Sequence, residues 1–391
     1  MSYQQFYQGF LSANTHNQHY ACHSHYFWPD CTRDAMLQYW DDSAKYVDHK
    51  WGYFFETLVP QLQTKISDIL NTSAPQQIVF APNTHELLYR IMSCFDSTKP
   101  FKVVSTDSEF HSFQRQASRL QEQGSIELIT VPTQPFATFS ERFKAAIAQH
   151  NPELVFFSQV FFNSGYVVND VNDIVNSVTN DDTLVVIDGY HGFMAKPTDL
   201  SAIAHRAFYL AGSYKYAQAG EGACFAHVPT GCALRPAYTG WFAEFGDLDK
   251  PRQIDGKAAV QYSQDGMRFA GATMDFTALY RLRAVLNMFE ENNISITTVN
   301  DYVMQMQQHF LEQLSAQQHP MLNVSNLVVE DASERGHFLT FELESADITQ
   351  QLSAALKEQG ILTDSRGNRL RFGFGLYHTK DYMDLSAISG L

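Results

Sequence analysis

Lys215 stands between two tyrosines in "FYLAGSYKYAQAGEGACFAHVP" (208–229), among small residues instead of the polar neighbours usual for a surface lysine. An amine in a partly desolvated place has its charged form disfavoured, so its pKa falls and it becomes a nucleophile. Asp188 closes the apolar run of "LVVIDGYHGF", 27 residues earlier (215 − 188). A carboxylate at a buried strand end needs a partner, either the first amides of a helix or a cationic group of a ligand. The separation accommodates one crossover and one further strand, which puts both residues at strand ends of one sheet. An imine-forming lysine, with an aspartate able to hold a protonated pyridine nitrogen, is the pair expected for pyridoxal 5'-phosphate (PLP). His191, three residues after Asp188, falls beside it.

A phosphate needs its own site. In "IVFAPNTHELLYRI" a strand ends at Ala81-Pro82, and Asn83-Thr84 opens a helix with Glu86 in its first turn. Free N–H groups at a helix N-terminus bind phosphate without a basic residue, although Asn or Thr also caps ordinary helices. "STDSEFHSFQRQ" follows the next strand; there Phe110 is placed to lie on an aromatic ring, and Ser112 and Arg115 to reach an anion.

The elements that must position these residues are legible as an alternation. The runs "QQIVFAP", "FKVVSTD", "IELITVP", "ELVFFSQVFF", "TLVVIDGY", "AFYLAGSY" and "GACFAHVP" read as short strands bounded by Gly, Pro, Asn or Asp. Helical patterns such as "THELLYRIMSCF" and "FSERFKAAIAQH" lie between several of them. This is the pattern of βαβ units and an α/β fold with a mainly parallel sheet, whose ligands bind beyond the carboxyl ends of the strands. From about residue 275 the order becomes α+β: two helical runs, then "HFLTFEL", "ITQQLSAALKEQG" and "RLRFGFGLY". The first 40 residues are rich in His, Tyr, Asn and Trp with little periodicity, and are expected to wrap over another part of the molecule.

Composition narrows the function classes. The chain has 391 residues, 45% hydrophobic and 18% charged, enough apolar material for a large core. Its net charge of −15, from 27 basic and 42 acidic residues, excludes the basic face of a nucleic-acid binder. No run of 18 apolar residues suggests a membrane span, and "MSYQQFYQGFLSANTH" has no basic-then-apolar pattern of a secretory signal. The five cysteines form no CxxC pair, consistent with a reducing cytoplasm and no metal site.

The set Asn83-Thr84, "SEFHS", "SQVFFNSG", "DGYHG", "SYKY" and "LRFGFGLYHT" resembles class V aminotransferase-like enzymes of PLP fold type I, in matching order from about residue 40 to 385. The resemblance implies a large domain with a mainly parallel seven-stranded sheet over 41–274 and a smaller α+β domain over 275–391. Residues 1–40 would pack on the small domain or the active site. It also implies a homodimer with shared active sites and an amino-acid substrate, with a keto acid as second substrate for a transaminase. By this resemblance Lys215 is the Schiff-base lysine, Asp188 the ring-nitrogen partner, and Phe110 the stacking ring. His191 sits by the cofactor's phenolic oxygen or phosphate edge, while Thr84 and Tyr214 hold the phosphate. Ser164 matches a loop facing the cofactor, Trp241 and Thr273 reach the phosphate across a dimer interface, and Arg371 grips the substrate carboxylate.

Two details lean toward the kynureninase branch: the tyrosine before the lysine in "GSYKY", and "TGWF" at 239–242. "FHS", "GAT" and "FLSANTH" depart from the patterns of the family and that branch, and so leave the substrate and reaction open. Class V aminotransfer is the leading expectation, with kynureninase-like Cβ–Cγ hydrolysis as the alternative. A desulfurase or related lyase ranks lower, because no cysteine follows Cys232 to act as a mobile sulfur acceptor. A catalytically silent binding protein is disfavoured by the presence of both Lys215 and Asp188.

Overall fold

A computed structural model describes residues 2–245, 253–254 and 257–390. The seven apolar runs form one sheet: β1 (Ile78–Ala81), β2 (Phe101–Thr106), β3 (Ile126–Val131), β4 (Leu154–Ser158), β5 (Leu184–Asp188), β6 (Ala207–Gly212) and β7 (Cys224–His227). Their spatial order is β1-β7-β6-β5-β4-β2-β3. Strands β3, β2, β4, β5 and β6 are mutually parallel, and β7 runs antiparallel to both β6 and β1. Every residue of β1, β4, β6 and β7 is buried, as expected for strands covered on both faces. The α/β fold with a mainly parallel sheet is therefore the one the sequence predicted.

Strand direction decides what reaches the rim. The parallel strands deliver Ser158, Asp188 and Gly212 to one edge, with Ser158 opposite Asp188 and Asp188 opposite Leu210. Because β7 runs the other way, its first residue, Cys224, lies at that same edge, opposite Gly212 and Ala81.

Six helices matter to the site or the cores: α1 (Cys31–Tyr46), α2 (Thr84–Met92), α3 (His111–Glu122), α4 (Thr277–Glu291), α5 (Ile296–Gln317) and α6 (Ala346–Glu358). Helix α1 arises from a stretch that read as aperiodic. Its buried positions are Thr32, Ala35 and Asp42, while Met36, Leu37 and Trp40 face outward, so apolar periodicity carried no signal. It packs along α4, and the Tyr280 hydroxyl donates to the Asp42 carboxylate at 2.8 Å. Leu279, Leu282 and Val285 of α4 join the same apolar core as the seven-stranded sheet.

A second apolar core is built by α5, α6 and a three-stranded antiparallel sheet. That sheet comprises β8 (Phe338–Glu342), β9 (Asp364–Arg366) and β10 (Arg369–Gly373), with β10 in the middle. The N-terminal segment is tied here: Gln18 and His19 pair with Ile361 and Leu362, and Tyr20 is fully buried against Phe310, Phe372 and Phe374. Among the described residues no helix is long and apolar enough to cross a membrane.

Removing the Tyr20 ring leaves a cavity at this junction. Tyr20→Ala should destabilise the protein by about 3–5 kcal/mol. Denaturant unfolding of the two proteins measures it; a change under about 1 kcal/mol would show that the segment is not pinned there.

Candidate active site

Beyond the carboxyl ends of the parallel strands lies a cavity of about 190 Å³. Lys215, three residues after β6, enters it almost completely buried. Its Nζ lies 2.7 Å from His191 Nε2. Three aromatic faces surround the amine: Tyr190 at 4.8 Å, Phe110 at 5.1 Å and Tyr214 at 5.6 Å from ring centre to Nζ. Burial pushes the Lys215 amine down to about 7; the Asp188 carboxylate opposes that fall and the Arg371 guanidinium adds to it. At neutral pH a large fraction of Lys215 is the free amine, the form that attacks a carbonyl.

Asp188 lines the same cavity, and its Oδ1 accepts the Tyr190 backbone N–H at 2.9 Å. Burial raises its carboxyl above the usual range, against the pull of that N–H and of Lys215. Such a carboxylate gains most from a cationic partner in the cavity. The turn that follows requires glycine: a Cβ on Gly189 would stand 1.9 Å from the Tyr209 ring. His191 is buried, and its Nδ1 has no partner. Burial and the neighbouring lysine hold its imidazole well below the ordinary value, hence neutral.

The cavity's other end is made of backbone. Asn83 caps α2, its Oδ1 accepting the Glu86 N–H at 2.8 Å. Asn83, Thr84 and His85 line the cavity at the helix's positive end, where unpaired N–H groups favour an anion. Tyr214 and Cys224 face them across the space. Phe110, the residue before α3, forms one wall with Ser112, and Phe162 meets Phe110 edge-on at 5.5 Å.

Most of the predicted residues thus meet: Asn83, Thr84, Phe110, Ser112, Asp188, His191, Tyr214 and Lys215 share one space. Five do not line it. Ser164 is buried in the turn after β4, its Oγ accepting the Tyr166 N–H at 3.2 Å. Trp241 Nε1 donates to Thr273 Oγ1 at 3.2 Å, outside this chain's own cavity. Arg371 is buried behind Phe162; it donates to the Phe162 carbonyl and to Asp364 Oδ2, leaving its Nε without a partner. Arg115 lies in a shallow groove along the outer face of α3 with Ser118 and Glu122.

Sequence reasoning missed several residues here. Asp364 accepts from Ser24 at 2.5 Å, from Arg366 at 2.8 Å and from Arg371, and its carboxyl is held well below the usual range despite burial. His23 Nε2 lies 3.5 Å from the same carboxylate, and burial keeps its imidazole at about 3 and neutral. Tyr190 and Cys224 were also passed over; Cys224 reaches the rim only through the reversed direction of β7. Among the described residues no His, Cys, Asp and Glu cluster is suited to a metal ion.

These groups fit PLP. The buried amine would take its aldehyde, the buried carboxylate its ring nitrogen, the aromatic wall its face, and the helix N-terminus its phosphate. The orphaned His191 Nδ1 leaves a hydrogen-bonding position open in that wall.

Comparison with known proteins points the same way. The family model of Aminotransferase class-V matches residues 28–380. A cysteine desulfurase of Yersinia pestis bv. Antiqua is 19% identical over 81% of this chain and 75% of its own length. The solved C-DES K223A mutant, with glycine covalently linked to its PLP cofactor, superposes with a TM-score of 0.80 at 15% identity, covering 100% of this chain and 97% of its own. The cysteine desulfurase CsdA of Escherichia coli superposes with a TM-score of 0.77 at 14% identity, covering 99% and 96%. These named relatives are desulfurases or PLP-linked proteins, not aminotransferases or kynureninases.

The lowered Lys215 value predicts a pH dependence. Below about 7 the amine is protonated and unreactive; above it the amine is free. The rate of visible-absorbance gain on adding PLP to cofactor-free protein should rise through about pH 7 and then level. A rate still climbing tenfold per pH unit above pH 9 would mark an ordinary solvated lysine, with pKa near 10.4.

Proposed function

The chain belongs to the class-V aminotransferase family and is a PLP-dependent enzyme, and from that premise we propose that it transfers the amino group of an amino acid to a keto acid. The observation that carries the PLP chemistry is the desolvated Lys215 amine held 2.7 Å from His191 in a cavity shared with Asp188, and the raised thiols described below favour amino transfer over passage of sulfur to a protein thiolate. When bound, PLP supplies an imine-forming aldehyde and an electron sink.

The chain's own residues supply the rest. Lys215 accepts the proton from the substrate Cα and returns it on the other side of the exchange, with a basicity matched to neutral pH. Asp188 holds the ring nitrogen protonated, and neutral His191 keeps the Lys215 amine oriented. Phe110, Phe162 and Tyr190 exclude water from the amine. The amides of Thr84 and His85, with Tyr214, hold the phosphate. The candidate for a substrate carboxylate is Arg371, which stands behind Phe162 outside the cavity lining with its Nε unpartnered. Trp241 and Thr273 lie outside this chain's cavity, as residues serving a second copy's phosphate would. The working form in this reading is a homodimer.

The relatives favour a second reading, cleavage of a carbon–sulfur bond. The cysteines argue against the version that passes sulfur to a protein thiolate. Burial raises all five thiols, Cys31 and Cys224 to about 11 and Cys94 to about 12. A thiolate acceptor needs the opposite shift.

A substrate panel with and without 2-oxoglutarate or pyruvate tests the proposal. Turnover that requires the acceptor, lost by 10³-fold or more in Lys215→Ala, is the expected result. Sulfide or persulfide from cysteine or cystine with no acceptor would replace it with the lyase reading. Anthranilate and alanine from kynurenine would replace it with the hydrolase. Light scattering of the PLP-loaded protein should give twice the 44.4 kDa chain mass; an active monomer would contradict the shared site.

A further inference from the structure

Glu109 is an acid with no role in the scheme above. It is 3% exposed, in the loop between β2 and α3, and its carboxyl is tied to the strand ends on either side. Its Oε1 accepts from the Thr106 hydroxyl at 2.6 Å and from the Ser158 backbone N–H at 3.2 Å. Its Oε2 accepts from the Ser158 hydroxyl at 2.5 Å. Ser158 ends β4 in register with Asp188 on β5, and both residues line the cavity. Ser158 therefore joins the buried acid by hydrogen bonds to the cavity surface where Asp188 stands.

We propose that Glu109 and Ser158 form a hydrogen-bond relay beside Asp188, in which Glu109 is a positioning residue that sets how strongly Asp188 holds a protonated ring nitrogen. A single hydroxyl has two orientations here. With Glu109 ionised, the Ser158 O–H donates to Oε2 and only its lone pairs face the cavity. With one proton added, Glu109 donates to Ser158 Oγ, and the serine's own proton turns to the cavity to solvate the Asp188 carboxylate. No bond changes except the one proton gained at Glu109. A donor to Asp188 weakens its hold on a cation, and its withdrawal strengthens that hold.

The balance between these states lies in a usable range. Burial pushes the Glu109 carboxyl up to about 8, the Asp188 charge adding to the rise and the serine and threonine donors opposing it. Asp188 is the ionisable neighbour that acts on it directly, and Lys215 and His191 lie across the cavity. The inference rests on the PLP site and not on which reaction is run there.

Glu109→Gln tests it, because the amide keeps an acceptor for Thr106 and Ser158 N–H and donates to Ser158 Oγ, mimicking the protonated acid. Two readouts separate the proposal from a mere structural tie. Infrared difference spectra across pH should show a protonated-carboxyl band that disappears through about pH 8 and is absent in Glu109→Gln. This readout works without PLP, so it stands whether or not the cofactor reading holds. In the loaded protein, Glu109→Gln should lower the pH midpoint of ring-nitrogen deprotonation, read by 15N NMR of labelled PLP, by roughly half a unit or more. In a Ser158→Ala background the same change should have less than half that effect, since the relay is gone. A missing carboxyl band, an unmoved midpoint, or an equal shift with and without the Ser158 hydroxyl would overturn the relay. If Glu109→Gln does not fold, Glu109→Asp replaces it. There the shorter acid should keep the band while losing the coupling to Ser158, and retained coupling would count against the relay.

Discussion

Desolvation of one amine organises this molecule. Lys215 is nearly fully buried, ringed by Tyr190, Phe110 and Tyr214, with a neutral imidazole at 2.7 Å. Burying an ammonium ion is costly, and the protein meets that cost by letting the amine lose its proton. Every neighbouring feature follows from keeping water out while leaving one carboxylate near. The glycine turn after Asp188 gives way to the Tyr209 ring, and the reversed β7 seals the rim with a small residue, Cys224.

The cavity and the region behind it use different physics. The end at α2 offers backbone dipoles, where Asn83 caps the Glu86 N–H with its side chain and the Thr84 N–H faces the Cys224 sulfur. Behind Phe162, outside the cavity lining, side-chain charge takes over, with Arg371, Asp364, His23 and Ser24 contributed by β10, β9 and the N-terminal segment. The guanidinium is already paired with Asp364, so in its proposed role it would offer a carboxylate an ion pair and not a lone cation.

The sheet and the cofactor pair were legible because both depend on local rules. Apolar runs ended by turn residues mark strands, and strand ends in a parallel sheet share one edge, which brings Asp188 and Lys215 together without knowledge of helix packing. What the sequence hid depends on distant contacts. Helix α1 buries Thr32, Ala35 and Asp42, so no apolar stripe announced it. Asp364 and His23 meet Arg371 only because a strand from the C-terminal region and a coil from the N-terminus converge there. Glu109 carried no signal beyond its place in "SEFHS", since a carboxyl's burial cannot be read from a loop of polar residues.

The account stands on Lys215 being the amine that engages PLP. Borohydride reduction of the PLP-loaded protein, followed by peptide mapping by mass spectrometry, addresses it directly. The predicted result is one reduced phosphopyridoxyl group per chain, on Lys215. Modification at another lysine, or none at all in a protein that retains its fold, would contradict it.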